Sequence, residues 1–235
     1  MTTTMSAHAP LVLVVDDSAT SRVVIEKQLK KLGCNVTVAR DGTSGLAAIV
    51  QTEFDLVLLD CQMPDMSGYD VAKLAREQKN EGPYTPIIAI SAETDMEHKQ
   101  RCLESGMDGV LGKSFPVAGE LKKILSLWCN FDLVAASSTE IDAMENIELQ
   151  TLFRTISLED LNTMQTLVQS DIPGVGRMAH RMKGAALTMG AAEIVATLER
   201  IEAIIAANGT SLASSLRTEI GILRQQCDVL EKCAD

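Results

Sequence analysis

Residues 54–60 read FDLVLLD. A short run of large aliphatic side chains that ends on a carboxylate is not the pattern of a half-exposed strand, which would alternate apolar and polar residues. It is the pattern of a strand buried on both faces. LVLVVDD, residues 11–17, repeats the arrangement and ends on two carboxylates, Asp16 and Asp17. Working outward, β-rich runs recur at Leu11–Val15, Cys34–Ala39, Asp55–Leu59, Pro86–Ile90 and Gly109–Leu111. Helical patterns lie between them, for example Val23, Val24, Ile25, Leu29 and Leu32, with charged residues on the opposite side. Buried strands alternating with amphipathic helices predict an α/β doubly wound, five-stranded parallel sheet over residues 10–129.

Past Trp128 the strand signal stops. Residues 130–140 are small and polar toward their end and read as a linker. Residues 141–235 carry helical patterns at about 141–155, 158–170, 173–189, 191–207 and 211–232, set off by Ser157, Ile172–Pro173, Gly190 and Asn208–Gly209. Ile194, Leu198, Ile201 and Ile205 recur at the spacing of an antiparallel bundle. The expected second domain is therefore an all-α four-helix bundle.

Composition narrows the function classes. The 235 residues carry a net charge of −11, which argues against nucleic-acid binding. Residues 1–130 hold 13 basic and 17 acidic residues, a net −4; residues 131–235 hold 8 and 15, a net −7. Three of the eight basic residues, Arg177, Arg181 and Lys183, crowd around His180, a patch that suits an anion. Apolar runs such as Leu11–Val15 are too short to span a bilayer, and MTTTMSAHAP does not read as a signal peptide. The six cysteines, at 34, 61, 102, 129, 227 and 233, form no C-x-x-C pair and no cluster with histidine in the sequence. They read as reduced thiols of a cytoplasmic protein.

The carboxylates carry the chemistry. In a parallel sheet the carboxyl ends of the strands lie along one edge, where ligands bind. Asp16, Asp17 and Asp60 all fall at that edge, and three converging negative charges call for a hard cation such as Mg²⁺. Ser91 follows the fourth strand and Lys113 the fifth. A metal, a cation, a hydroxyl and one free carboxylate make a phosphoryl-transfer site with the carboxylate as nucleophile. In the second half, MAHRMKGAALTMGA (178–191) places Lys183 and Gly184 one helical turn from His180. Lys183 would then steady a phosphoryl group on the ring, and Gly184 would leave clearance for a partner's loop.

VLVVDDS (12–18), FDLVLLDCQMPDMSGYD (54–70), PIIAISA (86–92) and SGMDGVLGK (105–113) resemble the receiver domain of two-component response regulators. The DCQMPDMSG form is similar to receivers attached to hybrid sensor histidine kinases. AHRMKGAA, MGA and LERIE resemble the histidine phosphotransfer family over most of residues 141–235. The resemblance implies a flavodoxin-like receiver with Asp60 as phospho-acceptor, and Mg²⁺ on Asp16, Asp17, Asp60 and the Gln62 backbone carbonyl. Ser91 and Lys113 would touch the phosphoryl group, and His180 would be an exposed phospho-carrier. It implies an upstream sensor histidine kinase, a downstream response-regulator receiver, and no ATP-binding kinase domain in this chain. Two positions depart from the pattern: Val110 stands where receivers have an aromatic residue, and Ser114 where proline follows the lysine. The competing readings are a receiver switch with a helical docking module, in which His180 is dispensable, and an aspartyl-phosphate hydrolase of the haloacid dehalogenase type. The latter wants a second Asp two residues after the first, where this chain has Gln62.

Overall fold

In a computed structural model the described residues are 9–78, 83–113, 117–129, 143–207 and 212–229, with backbone alone at 117–118 and 143–148. The expected linker at 130–140 and the Lys113–Ser114 peptide bond lie outside the described residues. The chain divides into two compact units, residues 1–140 and 141–235.

The first unit is built on strands β1 (Leu11–Val15), β2 (Asn35–Ala39), β3 (Leu56–Asp60), β4 (Ile87–Ser91) and β5 (Gly109–Gly112). All pair in parallel, in the order β2-β1-β3-β4-β5. Several strand ends fall one residue from the expected positions, which brings Asp60 and Ser91 onto the last positions of β3 and β4. Helices α1 (Ala19–Lys31), α2 (Gly42–Gln51), α3 (Gly68–Gln78), α4 (Met96–Glu104) and α5 (Val117–Trp128) connect and follow them. Strands β1, β3 and β4 are covered on both faces, so their residues divide alternately. Leu13, Val15, Val57, Leu59, Ile87 and Ala89 join one core with Ile49 of α2, Val71 and Ala72 of α3 and Cys102 of α4. The apolar stripe of α1, Val24, Ile25 and Leu29, is buried as well. Ser18, Asp41 and Asp95 start α1, α2 and α4 by accepting a backbone N–H three residues on. Val110 is half-buried on β5, packed against the first core and paired in register with Ala89.

Among the described residues the second unit holds four helices: α6 (Ala143–Leu167), α7 (Ile172–Thr188), α8 (Ala192–Ala207) and α9 (Leu212–Val229). The break expected at Ser157 does not occur, and the patterns at 141–155 and 158–170 belong to one helix. Serine inside a helix costs only about half a kcal/mol relative to alanine. Burial of Phe153, Leu161 and Met164 on either side of Ser157 outweighs that cost. Asp171 caps α7 by accepting the Gly174 N–H at 2.9 Å, with Pro173 in the first turn. A Cβ on Gly174 would sit 2.3 Å from Asp171 Oδ2, so glycine is what lets the cap close.

Candidate functional sites

Parallel pairing of β1, β3, β4 and β5 brings Asp16, Asp60, Ser91 and Lys113 to one edge of the sheet. Lys113 Nζ donates to Asp60 Oδ2 at 2.7 Å and pairs with Asp16 Oδ2 at 3.1 Å. Its backbone N–H donates to the Ser91 carbonyl at 2.7 Å, so β4 holds the lysine in place. Asp60 Oδ1 accepts the Gln62 N–H at 3.1 Å, and Ser91 Oγ accepts the Glu93 N–H at 3.1 Å. Asp16, Asp60, Ser91 and Lys113 are all buried.

The electrostatics of this edge are lopsided. Burial drives the Asp16 carboxyl upward, Lys113 pulls it down, and Asp60 and Asp17 push it up again, leaving it at about 7. Burial would strip Lys113 of its proton, but facing Asp16 and Asp60 it stays above the ordinary lysine range. One carboxylate oxygen from each of Asp16, Asp17 and Asp60 lies within 4.8 Å of the others. Asp16 Oδ1 accepts the Ser18 N–H at 2.7 Å. Buried Asp16 Oδ2 accepts no hydrogen bond, its contact with Lys113 being an ion pair without hydrogen-bond alignment. Three converging carboxylates with one oxygen unsatisfied are a donor set that fits a hard divalent cation.

A pH dependence follows. A native-state pKa near 7 against 3.8 in the unfolded chain means that the folded protein binds more protons between those values. Its stability without Mg²⁺ should therefore fall as pH rises from about 4 to about 7. Asp16→Asn should flatten that slope, and saturating Mg²⁺ should reverse it, because a bound cation favours the ionised carboxylate. Thermal midpoints against pH measure both; a wild-type slope that Asp16→Asn leaves untouched would contradict the assignment.

The loop after Asp60 folds back tightly, with the Gly68 N–H donating to the Cys61 carbonyl at 3.0 Å. A Cβ on Gly68 would stand 2.2 Å from the Asp60 carbonyl oxygen and 2.9 Å from Cys61 Cα. Both neighbours are backbone and cannot swing aside. Gly68→Ala should destabilise the first unit by about 1–3 kcal/mol, read as a lower urea midpoint.

In the bundle, His180 lies on α7 and is 23% exposed. Its Nδ1 is 3.0 Å from Glu202 Oε1, and Lys183 Nζ donates to Glu202 Oε2 at 2.5 Å. Burial raises the Glu202 carboxyl, but hydrogen bonds from His180 and Lys183 outweigh it, and the group stays below its ordinary value. An ionised carboxylate only accepts, so Nδ1 carries a proton, and in the neutral imidazole Nε2 then has the lone pair. The expected cationic patch is largely neutralised. Arg177 pairs with Asp171 at 3.2 Å, Arg181 with Asp160, and Lys183 with Glu202. Gly184 is buried, so it is not the open clearance beside the imidazole that its spacing predicts.

Glu202 is the functional residue that the sequence reading missed. It stands at the end of the quoted LERIE, but its pairing with His180 is made between two helices and is 22 residues distant. Among the described residues no helix is long and apolar enough to cross a membrane.

Comparison with known proteins bears on both units. The model of the response regulator receiver domain matches residues 12–126, and that of the Hpt domain matches residues 148–233. The sensor histidine kinase RcsC of Escherichia coli K12 is 39% identical over 119 residues, covering 50% of this chain and 12% of the kinase. The aerobic respiration control sensor protein ArcB of Escherichia coli O157:H7 is 28% identical over 204 residues, covering 76% of this chain and 26% of ArcB. The chain thus matches only a minor part of the length of either relative. The receiver domain of the sensor histidine kinase PA1611 of Pseudomonas aeruginosa PAO1, described with a magnesium ion in its active-site cleft, is 33% identical. It covers 53% of this chain and 100% of its own, with a TM-score of 0.48. A receiver joined to an Hpt domain is the composition of a two-component phosphorelay. This chain belongs to the response regulator receiver family through its first unit and to the Hpt family through its second.

Proposed function

We propose that the chain relays phosphoryl groups: Asp60 accepts one from a histidine of an upstream sensor kinase, and His180 carries one to the aspartate of a downstream receiver. The observation that carries this reading is the pairing of complementary sites in one chain, a carboxylate nucleophile held by Lys113 and an imidazole whose free nitrogen is set by Glu202.

On acceptance, the donor's N–P bond breaks and an O–P bond forms to Asp60. Lys113 would turn its ammonium from Asp60 to the incoming phosphoryl oxygens, and the Ser91 hydroxyl would donate to another. Asp16, Asp17, Asp60 and the Gln62 carbonyl would hold Mg²⁺, which when bound offsets the repulsion between carboxylate and phosphoryl group. On transfer to imidazole, the O–P bond breaks and Nε2 of His180 forms the new N–P bond. Nδ1 keeps its proton in the hydrogen bond to Glu202, and the ionised Glu202 balances the positive charge that develops on the ring. Lys183, buried against Glu202, steadies that carboxylate and so acts on the ring indirectly.

The test is to incubate the full chain with a phosphorylated hybrid kinase and separate the label by its stability. An acyl phosphate on Asp60 is lost in base, whereas a phosphoramidate on His180 is lost in acid. Both pools should appear on the one chain; label confined to Asp60 would leave the bundle a docking module.

A further inference from the structure

Directly after Asp60, a second cluster of donors lies in the core. Cys61 follows the last residue of β3, and His98 and Cys102 sit four residues apart on one face of α4. All three are fully buried. Cys61 Sγ is 3.8 Å from Cys102 Sγ and 3.8 Å from His98 Nε2, and Cys102 Sγ is 3.5 Å from the same nitrogen. Thus the cysteines and histidines that form no cluster along the sequence do form one in space.

We propose that Cys61, Cys102 and His98 bind one Zn²⁺, in a site separate from the carboxylates of Asp16, Asp17 and Asp60. Distances are the first argument. Zn–S bonds of about 2.3 Å and Zn–N bonds of about 2.0–2.1 Å, at tetrahedral angles, put sulfur atoms about 3.8 Å apart and sulfur about 3.5 Å from nitrogen. The three donors already stand at those separations, so coordination asks for little movement. Thiol hydrogen bonds to the imidazole nitrogen give the same spacings, so it is metal loading that separates the two readings.

The outer contacts are the second argument. Tyr69 Oη lies 2.9 Å from His98 Nδ1, and Glu93 Oε2 lies 3.7 Å from it. With Nδ1–H donated to Tyr69, Nε2 presents its lone pair to the metal, which is how ligating histidines are oriented. Charge is the third. Binding releases two thiol protons, and two thiolates, a neutral imidazole and Zn²⁺ sum to zero, the charge a buried site tolerates best. A monovalent soft ion would leave a buried negative charge. Three protein ligands leave one tetrahedral position for a water or other exogenous ligand. Because the donors are buried, loading requires α4 to lift, or takes place as the chain folds.

The full chain, kept reduced and refolded with one equivalent of Co²⁺ as a spectroscopic stand-in, should show a thiolate-to-cobalt charge-transfer band that Zn²⁺ bleaches. Excess Mg²⁺ should not displace it. Cys61→Ala and Cys102→Ala should each abolish the band, whereas Cys34→Ser and Cys129→Ser should keep it. His98→Gln, which leaves both thiols, should weaken binding at least about tenfold. X-ray absorption on the zinc-loaded wild type needs no variant to fold, and should count two sulfurs and at least one nitrogen. A folded wild type without the band, a band that survives loss of Cys61 or Cys102, or a zinc shell of oxygen and nitrogen alone would overturn the proposal.

Discussion

Asp60→Asn will fold normally and will accept no phosphoryl group, with labelling from a phosphorylated kinase falling by at least about a thousandfold. An amide nitrogen or oxygen is a poor nucleophile beside a carboxylate, and Asp16 is poorly placed to take over. Asp16 is held by the Ser18 N–H and by Lys113, and its carboxyl is shifted toward the protonated form. Stability should survive because the substitution removes one of the charges that raise Asp16, while the Asp16–Lys113 pair remains. Circular dichroism would confirm the fold, and gel autoradiography would read the label. Residual labelling of the variant near the wild-type level would place the acceptor elsewhere.

His180→Gln should have an equally large effect on a different step. Glutamine can still donate to Glu202 from its amide, so the contact with α8 is kept. It has no ring nitrogen to form an N–P bond. Acceptance at Asp60 should therefore proceed at the wild-type rate, while transfer to a downstream receiver falls at least about a thousandfold. Glutamine is close to histidine in length and keeps the Glu202 contact, so the stability change should stay within about 1 kcal/mol. Equal losses in both steps would mean that the substitution damaged the fold.

The sheet was legible because β1, β3 and β4 are short, buried aliphatic runs, and because the carboxyl ends of parallel strands must lie along one edge. That geometry alone gathers Asp16, Asp60, Ser91 and Lys113. Position within the bundle was harder to read. Ser157 punctuates the pattern but not the helix, since burial of Phe153 and Leu161 decides its conformation. Arg177, Arg181 and Lys183 read as free charge beside His180, yet Asp171, Asp160 and Glu202 neutralise them. Those acids come from the start of α7 and from two other helices, and no local spacing reveals which acid meets which base. The Cys61–His98–Cys102 cluster joins residues 37 and 41 apart. Only its His98–Cys102 half, at helical i,i+4 spacing, leaves a trace in the sequence.

The relay itself is tested most directly by onward transfer. Wild-type chain and His180→Gln chain, each labelled through the same phosphorylated kinase, would be mixed with a downstream receiver and sampled over time. Wild type should move base-labile label from Asp60 through an acid-labile intermediate to the receiver, whereas His180→Gln should hold its label on Asp60 and pass none. If the His180→Gln chain delivers phosphate to the receiver at the wild-type rate, His180 is not a station of the relay.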